Sequence, residues 1–364
     1  MSAAGAVLYE YRPNEGVAPG ETLHEWLAQN EMSQVEFARR TGLSTKHISQ
    51  VINAAAGISP DVALAFESVT GIPARYWIQL ESNYRTHNAR MEEDVALAKE
   101  IEVVRQFPLK ELFNRRKRPI PADPVQQLRE LLRFFGVASV DALFETCFNG
   151  TRLRTASAFA PNEAALASWL RLAELKAQSM HVEPFDADEC EKAILDFRHI
   201  STIGGTDWWN ELEERCASVG IALVLEEELP KCRVNGATKW LTPTKAMIAL
   251  SLRHRRHDTV WFTFFHELGH LLRHNRKEMF VDATGSRVAA DLELDADRFA
   301  SRTLIPPQYE IALGEISSQA EVKAFAESLD IDPSIVVGRM QHERLIPFNK
   351  WVSMIRTYSF PVEG

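Results

Sequence analysis

Long apolar runs are missing from this chain of 364 residues: no window approaches the roughly 18 uninterrupted apolar residues of a membrane helix, so no membrane partner is expected. The first residues, Met1 to Val7, carry neither the basic start nor the apolar stretch of a secretory signal. Cysteine is scarce and scattered. Cys147, Cys190, Cys216 and Cys232 form no C-x-x-C, which argues against a cysteine zinc site and fits a reducing cytoplasm. An excess of basic charge is absent too, since the net charge is −9. Any contact with nucleic acid must therefore come from a local surface and not from a global pull on phosphate. What is present is ordinary for a globular chain of two or three domains, with 45% hydrophobic and 25% charged residues.

The informative stretch is Trp261 to Leu272, where His266-Glu267-Leu268-Gly269-His270 lies inside an apolar run that reads as a buried helix. Residues four apart lie about 40° apart around a helix, so His266 and His270 can aim their imidazoles at one point. Two zinc ligands need that geometry, and Glu267 sits where a carboxylate can take a proton from an activated water. Phe264, Phe265, Leu268, Leu271 and Leu272 make the surroundings apolar.

Catalytic zinc takes three protein ligands and keeps one position open. Downstream, Glu293, Ala296, Asp297 and Ala300 have helical spacing, so Glu293 and Asp297 share a face while Asp295 points elsewhere. A ligating carboxylate followed one turn later by an acid supplies a ligand and an orienter for a ligand histidine. H-E-L-G-H, then E-x-x-A-D-x-F-A, then Leu304-Ile305-Pro306 resembles the ImmA/IrrE metallopeptidases. The resemblance implies a Zn2+ cofactor held by His266, His270 and Glu293, with Glu267 as general base and Asp297 supporting a ligand histidine. Helix-forming residues from Asp207 to Val219 and strands at Ile221–Leu225, 237–241 and 247–252 precede the motif. A short sheet followed by this helix suits an α+β zincin-like domain of gluzincin type over 206–364. Arg253 to His257 reads as a solvated basic turn and His274 as a surface residue. Cys232, in a loop between strands, is a conceivable latch for the open zinc position; an ordinary half-buried cysteine is the plainer reading.

The N-terminal part carries a tight series of short helical patterns. Ser33 with Glu36 makes a capping box, Gly42 permits a turn, and Ile48 and Val51 anchor the next helix. That is a helix-turn-helix, with Ser44 at the N-cap of its recognition helix. Thr45, Lys46, Ser49, Gln50 and Asn53 are then free to face DNA. Gln50 suits adenine, Lys46 guanine or phosphate, and Gln34 offers a phosphate contact. Residues 19–90 hold six Lys/Arg against seven Asp/Glu, so one such domain should bind weakly and a dimer better. Pro60 opens another helix, Gly71-Ile72-Pro73 breaks it, and a longer helix runs from Arg75 through Arg90. The run from Pro19 to Tyr84, with Tyr76-Trp77 and Gln79-Leu80, resembles the HigA-type antitoxins of the lambda-repressor-like XRE class. The resemblance implies a homodimer on a palindromic operator in double-stranded DNA. A cognate toxin is implied by the resemblance alone.

Residues 91–205 read as a helical linker, dimerisation or sensing region, with Arg115 to Arg118 in a solvated loop. Helical patterns at 320–329 and 333–339 close the chain, and His342 or Arg339 is a candidate donor to a tetrahedral oxyanion. A structural role is the alternative for both. The whole reads as mainly α with a small β-sheet: an XRE domain joined to an ImmA/IrrE-type peptidase in a bacterial cytoplasm. Its expected protein substrate is a repressor, an antitoxin or the chain itself. The alternative is a non-proteolytic repressor or antitoxin whose zinc domain senses a ligand or holds structure.

Overall fold

A computed structural model describes residues 16–148, 161–274, 280–281 and 287–358. By compactness the chain divides into Met1–Ile101 and Glu102–Gly364.

In the first unit five helices follow one another: α1 (Pro19–Gln29), α2 (Gln34–Thr41), α3 (Thr45–Ile52), α4 (Pro60–Thr70) and α5 (Ala74–Ala98). Their starts are written into the sequence. Ser33, Ser44 and Ser59 each accept a bond from a backbone amide three residues on, which satisfies one orphan donor of the helix that follows. Gly42 ends α2 in the left-handed conformation at φ 72°, where an L side chain would be strained. Leu23, Phe37, Ile48, Phe66 and Trp77 are wholly buried in one core. Phe37, Phe66 and Trp77 meet edge to face at centroid distances of 5.2 and 5.3 Å. The last helix runs to Ala98, beyond the expected Arg90.

The second unit begins with α6 (Leu109–Arg115), α7 (Pro124–Phe135), α8 (Val140–Phe148), α9 (Pro161–Ser179), α10 (Ala187–Lys192), α11 (Ile194–Ile200) and α12 (Asp207–Ala217). Then come strands β1 (Ile221–Leu225), β2 (Gly236–Thr242) and β3 (Lys245–Leu250), helix α13 (His257–Arg273), strand β4 (Phe280–Val281) and helix α14 (Arg287–Leu304). Helices α15 (Glu310–Glu315), α16 (Gln319–Ser328) and α17 (Pro333–His342) follow. The sheet order is β1-β3-β2-β4, with β1 parallel to β3 and the other pairs antiparallel. Alternation along β3 sends Ala246, Ile248 and Leu250 into the core shared with Phe264 and Phe265 of α13. Helix α9 packs on the same sheet, and its Trp169 donates to Glu226 O at 2.8 Å.

The middle helices are thus part of the second unit, and the basic run is not a free loop. Arg115 ends α6, pairs with the buried Glu226 carboxylate, and donates to Glu227 O (2.6 Å) and Glu228 O (3.1 Å). Lys176 of α9 reaches the same carboxylate at 2.8 Å. A buried carboxylate is costly unless paired, and these two cations pair it where the chain leaves β1. Loop composition marked Arg115 as solvated; its long-range partner lies 111 residues away, beyond any local pattern.

Candidate metal centre and DNA-binding face

Helix α13 is buried from Val260 to Leu271 except for Phe262, which is partly exposed. It crosses α14 closely at Gly269, where a Cβ would come within 3.0 Å of the Phe299 ring. Small residues on the facing side, Ala296 and Ala300, are also fully buried. This close crossing brings the first motif to the second. His266 Nε2 lies 3.0 Å from Glu293 Oε2 and 3.1 Å from His270 Nε2, and His270 Nε2 lies 3.5 Å from Glu293 Oε1. Among the described residues, His266, His270 and Glu293 form the group whose ligand atoms all lie within 4.8 Å of one another.

The spacing can be tested against zinc. Bonds of about 2.1 Å in a tetrahedron put neighbouring ligand atoms about 3.4 Å apart. The three separations scatter around that value, and two imidazoles with one carboxylate are a zinc-type donor set. The donors therefore fit the ion.

Each imidazole is held from behind. His266 Nδ1 lies 2.9 Å from Asp297 Oδ1, so the acid one turn after Glu293 meets the first histidine. His270 Nδ1 lies 2.9 Å from His274 Nδ1, and His274 Nε2 lies 3.5 Å from Asp295 Oδ2. His274 is therefore not a surface residue; its side chain is 4% exposed and backs the second ligand. Asp295 is drawn in behind it. The i, i+4 spacing from His270 to His274 carried that signal, masked by the polar residues that follow. Electrostatics match the geometry. Burial works against the His266 cation, but hydrogen bonds to Asp297 and Glu293 and the charge of Glu267 outweigh it and push the imidazole up to about 10. Burial likewise opposes the Glu293 carboxylate, yet bonds from His266 and His270 hold it down to about 2.

Glu267 is 1% exposed and turned toward the sheet. Its Oε2 accepts from the Thr238 hydroxyl of β2 at 2.7 Å, and the same hydroxyl lies 3.0 Å from Glu267 O. Gly236 leaves room for it, since a Cβ there would sit 2.9 Å from Glu267 Oε1 and 2.6 Å from Thr263 Cγ2. Thr238 and Gly236 were not legible as site residues, because strand β2 shows no polar motif.

His342 and Arg339, on α17, line a cavity with Phe262, Ser301 and Leu304. Cys232 is 2% exposed, and burial pushes its thiol up to about 12. Cys232 is not among the residues whose ligand atoms gather with His266, His270 and Glu293. His257 also departs from expectation. It opens α13 and is 0% exposed, beneath Tyr358, whose hydroxyl lies 2.5 Å from its Nδ1.

In the first unit Ser44, Thr45, Lys46 and Asn53 are exposed on or beside α3, and Gln34, Ser49 and Gln50 are half-buried. Asn53 Nδ2 donates to Ser49 O at 2.8 Å. Arg39 and Arg40 both pair with Glu36, and those bonds hold the Glu36 carboxyl down to about 2. Lys46 is the cation left on the exposed start of α3.

Residues 23–77 match the helix-turn-helix family model and 222–324 the model described as IrrE N-terminal-like domain, a peptidase family. The chain thus carries an XRE-type DNA-binding domain and an IrrE/ImmA-like domain that spans all three ligand candidates. Similar solved structures include an addiction module antidote protein of a HigA family from Coxiella burnetii. It shares 25% identity, covering 24% of this chain and 95% of that one, with a TM-score of 0.22. Pseudomonas aeruginosa antitoxin HigA with higBA promoter shares 28%, covering 24% and 92%, with a TM-score of 0.21. No curated protein matches the chain.

Proposed function

We propose that this chain is a cytoplasmic transcriptional regulator in which a DNA-binding domain is joined to a zinc-dependent endopeptidase. The observation that carries the reading is the meeting of His266, His270 and Glu293 beside a Glu267 carboxylate that the sheet holds in place. A zinc ion held by the three would supply Lewis acidity and lower the pKa of a water toward ~7. Glu267 would be the proton acceptor for that water, with the Thr238 hydroxyl fixing its Oε2. Asp297 and His274 keep the imidazoles aimed. A metal that served only structure would not need an acid fixed at the motif's second position, which favours the enzyme over a sensory or structural zinc domain.

The DNA-binding half reads a palindromic operator as a homodimer through Lys46, Gln50 and their neighbours, with Gln34 and Ser44 on phosphate. Its substrate is a protein: a repressor, an antitoxin or this chain. A cognate toxin is a further partner, implied by the resemblance to HigA-type antitoxins alone. The test is Glu267→Gln, which keeps size and hydrogen bonding and removes the base. Zinc content and operator binding should stay within twofold of wild type, while cleavage of peptides recovered from cell extracts should disappear. Unchanged cleavage by the variant would sink the enzymatic reading.

A further inference from the structure

The side chains of β2 are held on both of its faces. Thr238 bonds Glu267 on one, and Lys239 pairs with Glu174 of α9 on the other. Trp240 meets Phe185 edge to face at 4.9 Å. What the strand still offers is its backbone edge on the side away from β3. Strand β4 takes the first part of that edge. It runs antiparallel to β2, with Val281 opposite Ala237 and Phe280 opposite Thr238. The place is specific, because Thr238 is the residue whose hydroxyl lies 2.7 Å from Glu267 Oε2. A strand paired there lies about 4.8 Å from β2, at the residue that holds the base. The pairing is also short: β2 has seven residues and β4 two, and it covers Ala237 and Thr238 alone among the described residues.

We infer that β4 is a built-in cover on this edge, which an extended peptide must displace to reach the base; the inference rests on the peptidase reading. An extended peptide adds to a sheet edge through main-chain hydrogen bonds. On β2 it would use the backbone groups that β4 now uses, so the two compete. Length decides the exchange. The cover pairs two residues, whereas a peptide can run along all seven of β2. So short a ladder is marginal by itself, and each further backbone bond adds a several-fold preference for the longer strand. An unfolded segment therefore wins the edge, while a folded protein with no strand to lend does not. The cover also denies the edge to unrelated chains in the resting state. It belongs to the connection between α13, which ends at Arg273, and α14, which starts at Arg287. The two helices that carry the ligand candidates thus carry the cover between them.

The cover can be locked and released in one protein. Ala237→Cys with Val281→Cys places thiols on two directly opposed residues, whose Cβ separation of about 5 Å is close to the reach of a disulfide. Diamide closes the crosslink and a phosphine reopens it, with wild type treated in the same way as the control. The probe is fluorescein-labelled, unfolded casein on zinc-loaded full-length protein. Binding is read by anisotropy with Glu267→Gln added, and cleavage with Glu267 in place. The locked form should bind casein at least about 10-fold more weakly than the reduced form and cleave it correspondingly slower, with equal zinc content. Phe280→Pro with Val281→Pro removes both backbone donors of β4 and should act in the opposite direction, tightening binding about 5- to 10-fold. A locked form that binds and cleaves like the reduced one overturns the cover. Should the crosslink not form, a proline variant with wild-type affinity overturns it instead. Binding that follows the lock without cleavage by any form leaves the cover standing and removes the peptidase; cleavage that ignores the lock does the reverse.

Discussion

Acid should destabilise the second unit before its carboxylates titrate, and His257 is the reason. Its imidazole is fully enclosed, 2.5 Å from the Tyr358 hydroxyl and 3.9 Å from Asp332 Oδ1, with Arg356 on the far side of that aspartate at 2.6 Å. Burial pushes the imidazole from 6.5 down to about 4; the charges of Asp332 and Asp258 oppose this and that of Arg356 adds to it. The unfolded chain takes up this proton below pH 6.5 and the folded chain only near pH 4, so stability falls as pH drops through that window and is untouched above it. At about 1.4 kcal/mol per pH unit the full effect is roughly 3 kcal/mol, of which about 2 develop between pH 6.5 and pH 4.5. His266, raised to about 10 when no metal is bound, contributes stability fully present below 6.5 and lost as pH rises toward 10, so it is level here. Glu293, held at about 2, contributes above 4.5 and loses that contribution only as pH falls toward 2. Burial pushes His274 in the same direction as His257, so the decisive quantity is a difference between proteins. Urea unfolding of chelated wild type and His257→Gln at pH 6.5, 5.5 and 4.5 supplies it. The variant starts less stable, having lost packing, but its profile should be flatter by about 2 kcal/mol. Parallel profiles would refute the assignment of the proton.

Purified protein should carry one zinc, lost in His270→Ala, and Asp297→Asn or His274→Ala should each weaken zinc about 10- to 100-fold in a chelator competition, since partners behind a ligand histidine act on that scale; unchanged affinity in both would show that the contacts are incidental. Gly236→Ala should leave zinc content and fold intact but lower kcat about 100-fold, because the new Cβ displaces Glu267 Oε1 and Thr263; peptide turnover within threefold of wild type would contradict that. Lys46→Ala and Gln50→Ala should each weaken operator binding roughly 5- to 100-fold in a titrated gel shift, and only Lys46→Ala should flatten the salt dependence. Equal affinity of wild type for random duplexes at moderate salt would remove sequence-specific reading altogether.

Local rules carried the helix-turn-helix. Ser33, Ser44 and Ser59 cap helices within three residues, and Gly42 turns where only a residue tolerant of positive φ is comfortable. The two metal motifs were legible for the same reason, since spacing along a helix fixes a face. Beyond a turn or two the sequence was silent. Thr238 meets Glu267 from a strand 29 residues away, Arg115 finds Glu226 across 111, and Tyr358 lies over His257 across 101. Arg253 to His257 looked solvated because it is basic, yet the C-terminal segment pairs there: His257 N donates to Arg356 O at 3.0 Å and Tyr358 N to Arg255 O at 2.7 Å. Strand β4, with two residues, is too short for any alternation to announce it.

Burial is uneven across the centre. The side chains of His270 and His266 are 1% and 8% exposed, while Glu293 is at 25% and Asp297 at 51%. Glu293 is the most exposed of the three ligand candidates, while Asp297 lies at the back of the His266 ring. Glu267 is enclosed between α13 and β2. That arrangement keeps the base dry, and its position depends on the sheet rather than on the substrate. Catalytic groups on rigid elements hold their geometry better than those on loops.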